Sequence, residues 1–138
     1  MDETDARLNV LARANAARLK KFAESLIGHL GQIEVLHSRT GLVMVPMRDT
    51  AQGTNFHLGE VLVSEAHIQS DHHQGYGMRR GHDLEASMAM ALVDLALQRG
   101  IASDNCSAFI AEEAAAIEHA DVETLKRVEA TRVDMETF

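Results

Sequence analysis

The spacing of apolar residues changes twice along this chain, and that change restricts the folds open to it. Leu8, Leu11, Leu19, Phe22, Leu26 and Leu30 recur at three- or four-residue intervals apart from a gap around Asn15, as one face of an α-helix requires. Asn is a poor mid-helix residue and a good N-cap, so the reading favours a break there, with a short first helix and a longer second one ending near Gly31. The middle then turns to short apolar runs, Ile33–Leu36 and Leu42–Met47, each flanked by turn signals. These predict two strands, the second at an edge or bulged at Pro46, which cannot donate a ladder hydrogen bond. A turn is expected at Asp49–Gly53. A longer strand within Phe56–Gln69 places Leu62, Ala66 and Ile68 on one face and Glu65, His67 and Gln69 on the other. Ser70–Gly75 reads as a hairpin connection and Tyr76–Arg80 as a fourth strand.

Helical spacing returns at Asp83. Leu84, Met88, Ala91, Leu92, Leu95 and Ala96 form an apolar stripe, and Gly100 ends it. Ser103 or Asp104 can cap a third helical stretch through Phe109, Ile110 and Ile117. Asp121 can cap a last one carrying Val122, Leu125 and Val128, whose narrow stripe is marginal alone and suited to docking on another chain. The expected class is α+β over one domain, 1–138: N-terminal helices, a central antiparallel β-meander of about four strands, and C-terminal helices.

The 138 residues suffice for a core without disulfides, and the single cysteine, Cys106, forbids an internal one. A reducing, cytoplasmic setting is therefore expected. Met1–Asp5 is acidic and polar, unlike a signal peptide, and no apolar run reaches membrane-spanning length. A net charge of −8, from 21 acidic and 13 basic side chains, speaks against a nucleic-acid partner. It leaves room for a small anion held by a local arginine cluster, because distant charges are screened.

That cluster is Arg79, Arg80 and Gly81, just before the helix at Asp83. A helix start with two arginines can hold a phosphate. Alternation along a strand turns only one arginine toward such a site, and Asp83 and Glu85 oppose an anion there, so an ordinary hairpin end with solvated arginines is the competing reading. Gly75–Gly81 lacks the Gly-Lys-Ser/Thr ending of a phosphate-binding loop. His67, His72, His73 and His82 flank one hairpin without metal-ligand spacing, and no metal is expected. His67, on the polar strand face, is a candidate subunit contact. Cys106 reads as a small buried residue rather than a nucleophile. No convergent acid–base set is visible, and no catalytic residue is assigned.

Several ordered segments carry a family resemblance. They are Arg7-Leu-Asn-Val-Leu-Ala12, Thr40-Gly-Leu-Val-Met44, Arg48 with Gly53-Thr54, Phe56-His-Leu-Gly-Glu60 with Val61 and Val63, and Gly75-Tyr-Gly77. Then follow Gly81-His-Asp83, an alanine-rich helix with Leu92-Val-Asp94, and Ala130-Thr-Arg-Val-Asp134 with Thr137. In order and spacing this resembles the PhnG family, the G subunits of the carbon–phosphorus lyase core complex. The chain departs from the family pattern at Arg39, where an acidic residue is usual, at His82 in place of Arg, and after Asp134, where Met135 and Glu136 replace two aromatics.

The resemblance implies an accessory subunit acting with companions of the H, I, J and L types. The implied reaction couples methylphosphonate to MgATP at ribose C1 and expels adenine, giving a ribose 1-methylphosphonate 5-triphosphate. It implies that MgATP is a substrate of the complex, that this chain alone binds no cofactor, and that the chemistry resides mainly in another subunit. Arg132, Val133, Asp134 and Phe138 become candidate partner contacts. An isolated chain of this kind is expected to expose an apolar patch and to self-associate.

Overall fold

The computed structural model describes the backbone over residues 3–48 and 55–136, and the side chains over 3–44 and 59–132. The expected turn at Asp49–Gly53 lies outside the described residues. The α+β class and the helix–meander–helix order are as expected.

Helix α1 spans Glu3–Arg13 and α2 spans Ala16–Leu30. Asn15 separates them, and its side-chain oxygen accepts from the Arg18 N–H at 3.0 Å, supplying the acceptor that a helix start lacks. α2 stops at Gly31, where φ is 71°.

The described sheet has three strands rather than four: β1 Glu34–Arg48, β2 Asn55–Ser70 and β3 His73–Arg80, antiparallel in the order β1-β2-β3. The two short runs expected as separate strands are one. Between them Ser38, Arg39, Thr40 and Gly41 pair with Ala66, Glu65, Ser64 and Val63. A long neighbouring strand satisfies their backbone and overrides a local preference for a turn. Two register shifts remain, between Val35 and His37 and between Val45 and Pro46. Pro46 thus lies on an edge strand beside an irregularity. The β2–β3 connection is shorter than expected. Only Asp71 and His72 intervene, at φ of 49° and 64°, the left-handed pair that closes a twisted two-residue hairpin.

Helix α3, Leu84–Arg99, lies across the inner face of β2 and β3. Asp83 caps it by accepting from the Ala86 N–H at 3.1 Å, and Gly100 ends it in the left-handed region. The sequence predicts one apolar stripe. In the structure Ala86, Ser87 and every residue from Ala89 to Ala96 are buried, because the sheet, α1, α2 and α4 Ser103–Glu136 surround the helix. Gly75 and Gly77 bring β3 against it. A Cβ on Gly75 would stand 2.3 Å from the Ala91 carbonyl oxygen, and one on Gly77 2.1 Å from that of Ser87. Ser87 Oγ donates to the Ser64 carbonyl at 2.9 Å, so the seam is also hydrogen-bonded.

The expected division at Asp121 is absent: α4 runs unbroken for 34 residues. It contains no Gly or Pro, and Asp121 caps nothing because its carboxylate is held by Arg13 at 2.8 and 3.2 Å. Cys106 and Phe109 of α4 join the core formed by Leu11, Leu19, Leu26, Ile68 and Leu95. The Phe109 ring stacks on Phe22 at 4.6 Å.

Two elements project from this body. β3 ends where Arg80 pairs with Val63, so the rest of the β1–β2 ribbon continues without a third strand. There Leu42, Val43, Met44 and Leu62 are exposed. Leu62 shares a face with Ala66 and Ile68, as expected, but lies where the helical cover has ended. The second projection is α4 beyond Asp121, with Val122, Leu125 and Val128 exposed.

Candidate functional site

Strand β3 turns Arg79 toward the helices, half-buried, and leaves Arg80 exposed. The Arg79 guanidinium donates to the carbonyls of Leu11 at 2.5 Å and Ala14 at 2.7 Å. It thereby satisfies backbone groups that the end of α1 would otherwise leave bare. Burial lowers its pKa from the ordinary arginine value, and Asp83 and Glu113 partly offset this. Gly81, at φ 95°, donates its N–H to the Leu62 carbonyl at 2.9 Å. The start of α3 already carries the Asp83 carboxylate, bonded to Lys20 Nζ at 2.8 Å. The Lys20 contact, then the Ala86 N–H, hold that carboxyl below its ordinary range. The structure therefore places Arg79, Arg80 and Gly81 consecutively without bringing the two guanidinium groups to one point.

His67 lies on the outer sheet face in a row that register creates, His37–His67–Tyr76. Ring centroids are 6.1 Å apart for the histidines and 6.0 Å for His67 and Tyr76. His67 Nε2 is 2.9 Å from Gln74 Oε1. In the next row Arg39 approaches Glu65 at 3.8 Å. The Tyr76 phenol is pushed up, first by burial and then by Glu65. His72 forms the hairpin turn, His73 bonds the Asp71 carbonyl at 2.8 Å, and His82 is exposed beside Gly81. Among the described residues no three of His, Cys, Asp and Glu converge as metal ligands. Cys106 is buried, and burial raises its thiol pKa. Arg132 lies on α4, 3.9 Å from Glu129. Val133 and Asp134 belong to the last turns of α4, with side chains outside the described residues, as is all of Phe138.

Sequence reasoning missed two buried ionic networks. Asp94, 4% exposed, accepts from Arg7 at 2.9 Å and from the Tyr76 N–H at 3.0 Å. It ties α1, α3 and β3 together. Its signal was a lone carboxylate within Ala91-Leu-Val-Asp-Leu-Ala96. Glu113, 3% exposed, takes Arg18 on both oxygens at 2.7 and 3.1 Å, and the Asn15 N–H lies 3.4 Å away. Arg18 foremost, with Asn15, holds the Glu113 carboxyl below its ordinary range despite burial. A depressed carboxylate stabilises the fold above its unfolded pKa, and that stability is lost as pH falls through the folded pKa. Stability is therefore expected to drop on acidification below the ordinary glutamate range. Urea unfolding at stepped pH checks this: Glu113→Gln should be less stable than wild type at neutral pH and should flatten the acid slope. An unchanged slope would contradict the role given to Glu113.

These features define a small α+β protein whose buried charges bind its own elements together while apolar surface collects on two projections. The family model for phosphonate metabolism protein PhnG matches residues 3–138, essentially the whole chain, and the chain belongs to that family. A comparison with curated proteins gave no match. Membership places the chain in phosphonate metabolism. Among the described residues no helix is long and apolar enough to cross a membrane.

Proposed function

We propose that this chain is an accessory subunit of the carbon–phosphorus lyase system whose work is assembly. One observation carries the reading: the β1–β2 ribbon beyond Gly41 and Val63 exposes Leu42 (63%), Met44 (55%) and Leu62 (41%) on one face and Val43 (42%) on the other. A ribbon with apolar side chains on both faces is suited to insertion between other polypeptides. In the body behind it, Asp94 and the glycine seam join β3 to α1 and α3. The companions are the H, I, J and L subunits in the cytoplasm. Together they couple methylphosphonate to ribose C1 of MgATP with release of adenine. This chain supplies no catalytic group of its own to that step, and outside the complex it self-associates through its apolar surface.

Co-expression with the companion subunits tests this. Wild type is expected to co-purify with them and to support adenine release only in the assembled complex. Leu42→Asp/Met44→Asp should keep the thermal unfolding midpoint of wild type, because both side chains are exposed, yet lose at least tenfold in capture of companions. Undiminished capture by that variant would overturn the docking role of the ribbon.

A further inference from the structure

Gly41 stands in the middle of β1, where nothing in the fold asks for a glycine. The described glycines at positive φ are Gly31, Gly81 and Gly100, so Gly41 has a backbone open to any residue. It pairs with Val63, away from both register shifts of β1. An added Cβ would meet nothing within 4 Å, whereas one on Gly75 or Gly77 would strike α3. Gly59 also has open space, but it pairs with Val45 beside a register shift. A strand-interior glycine weakens its strand, and without a bend or bulge it marks a place where something else comes close.

The gap at Gly41 opens into a cavity of about 250 Å³ lined by Arg39, Val43, Val63, Glu65 and Met78. Register and alternation put these side chains on the outer sheet face. Val43, Val63 and Met78 make the walls apolar. The Arg39–Glu65 row closes one end. Glu65 is 22% exposed and Arg39 62%, and they stand 3.8 Å apart, beyond hydrogen-bond length. A half-buried carboxylate held so loosely keeps acceptor capacity, and the guanidinium keeps donors. An ammonium alone would face Arg39, and a carboxylate alone would face Glu65. A ligand bearing both charges and an aliphatic body satisfies both groups and keeps the pocket neutral.

We propose that this pocket binds a free aliphatic α-amino acid of leucine or methionine size. Its carboxylate accepts from Arg39, its ammonium donates to Glu65, and its side chain fills the space over Gly41 between Val43, Val63 and Met78. The volume lies below the usual range for drug-sized ligands, about 300 Å³ and upward, and suits a molecule this small. The site belongs to this chain alone and does not depend on the assembly reading.

Calorimetric titration of the full-length chain with L-leucine and L-methionine tests this. Saturable heat for one molecule per chain is expected. Gly41→Val fills the cavity at a position where a side chain meets nothing and valine suits a strand. It should weaken binding at least tenfold while the thermal unfolding midpoint holds or rises. Glu65→Gln and Arg39→Gln should each weaken binding at least tenfold. Isoamylamine and isocaproate, which keep the leucine body with one charge each, should bind at least tenfold more weakly than leucine. Absence of saturable heat, leucine binding undiminished in Gly41→Val, or isoamylamine or isocaproate binding as tightly as leucine would overturn the proposal.

Discussion

Gly77→Ala is expected to cost at least about 3 kcal/mol of stability, because the new methyl has no direction in which to yield. It would sit 2.1 Å from the Ser87 carbonyl oxygen and 3.0 Å from the Ala91 backbone nitrogen, both on α3. Relief requires α3 to move off β3, which separates the Ser64–Ser87 contact beneath the seam and opens voids around Met90 and Leu95. Gly75→Ala meets the Ala91 carbonyl oxygen at 2.3 Å and should behave alike. The double variant is expected to show no cooperative transition in circular dichroism. Gly28 supplies the control. It lies in α2 with nothing within 4 Å of an added Cβ, so Gly28→Ala should stabilise by roughly 0.5–1 kcal/mol. A Gly77→Ala protein with the wild-type urea midpoint would show that α3 and β3 are not in the close contact described.

Asp94→Ala is the second large effect, expected at ~3–5 kcal/mol, the usual cost of breaking a buried pair by removing one partner. The Arg7 guanidinium would be left against the core, and the Tyr76 N–H would lose its acceptor. Asp94→Asn keeps an acceptor for Tyr76 and should cost less. Arg7→Met/Asp94→Leu removes both charges together. It should be more stable than the sum of its single variants predicts, leaving a coupling of about 1–3 kcal/mol in a double-mutant cycle. Strict additivity would mean that Arg7 and Asp94 do not act on one another.

The contrast between these two predictions marks what the sequence carries. Helix ends were legible because their causes are local: Asn15, Gly31, Asp83 and Gly100 each act within a few residues of the break they make. The faces of β2 were legible from alternation, which put Ala66 and Ile68 inside and His67 outside. The joining of Ile33–Leu36 and Leu42–Met47 into one strand was not, because it depends on β2 being long enough to pair with the residues between them. The continuity of α4 was hidden by a good capping residue, Asp121, whose carboxylate is claimed by Arg13 from 108 residues away. The candidate arginines show the same limit. Alternation correctly separated Arg79 from Arg80, but only the folded chain reveals the ends of the Arg79 side chain on Leu11 and Ala14, 68 and 65 residues distant. Arg7–Asp94 and Arg18–Glu113 span 87 and 95 residues. A charge set in an apolar run announces that it has a partner without saying which.

Functional legibility followed a different route. The ordered segments that suggested the family recur at structurally demanding places: Arg7 and Asp94 in the buried pair, Gly75 and Gly77 in the seam, Thr40–Met44 where the ribbon leaves the body.

Hydrogen exchange of this chain, alone and within the co-purified companion complex, tests the docking role of the ribbon most directly. The account predicts new protection in the complex over residues 41–44 and 59–63, with α3 and the paired segment 64–70 changing little. Equal exchange of the ribbon in both states, in a complex that contains the chain, would contradict it.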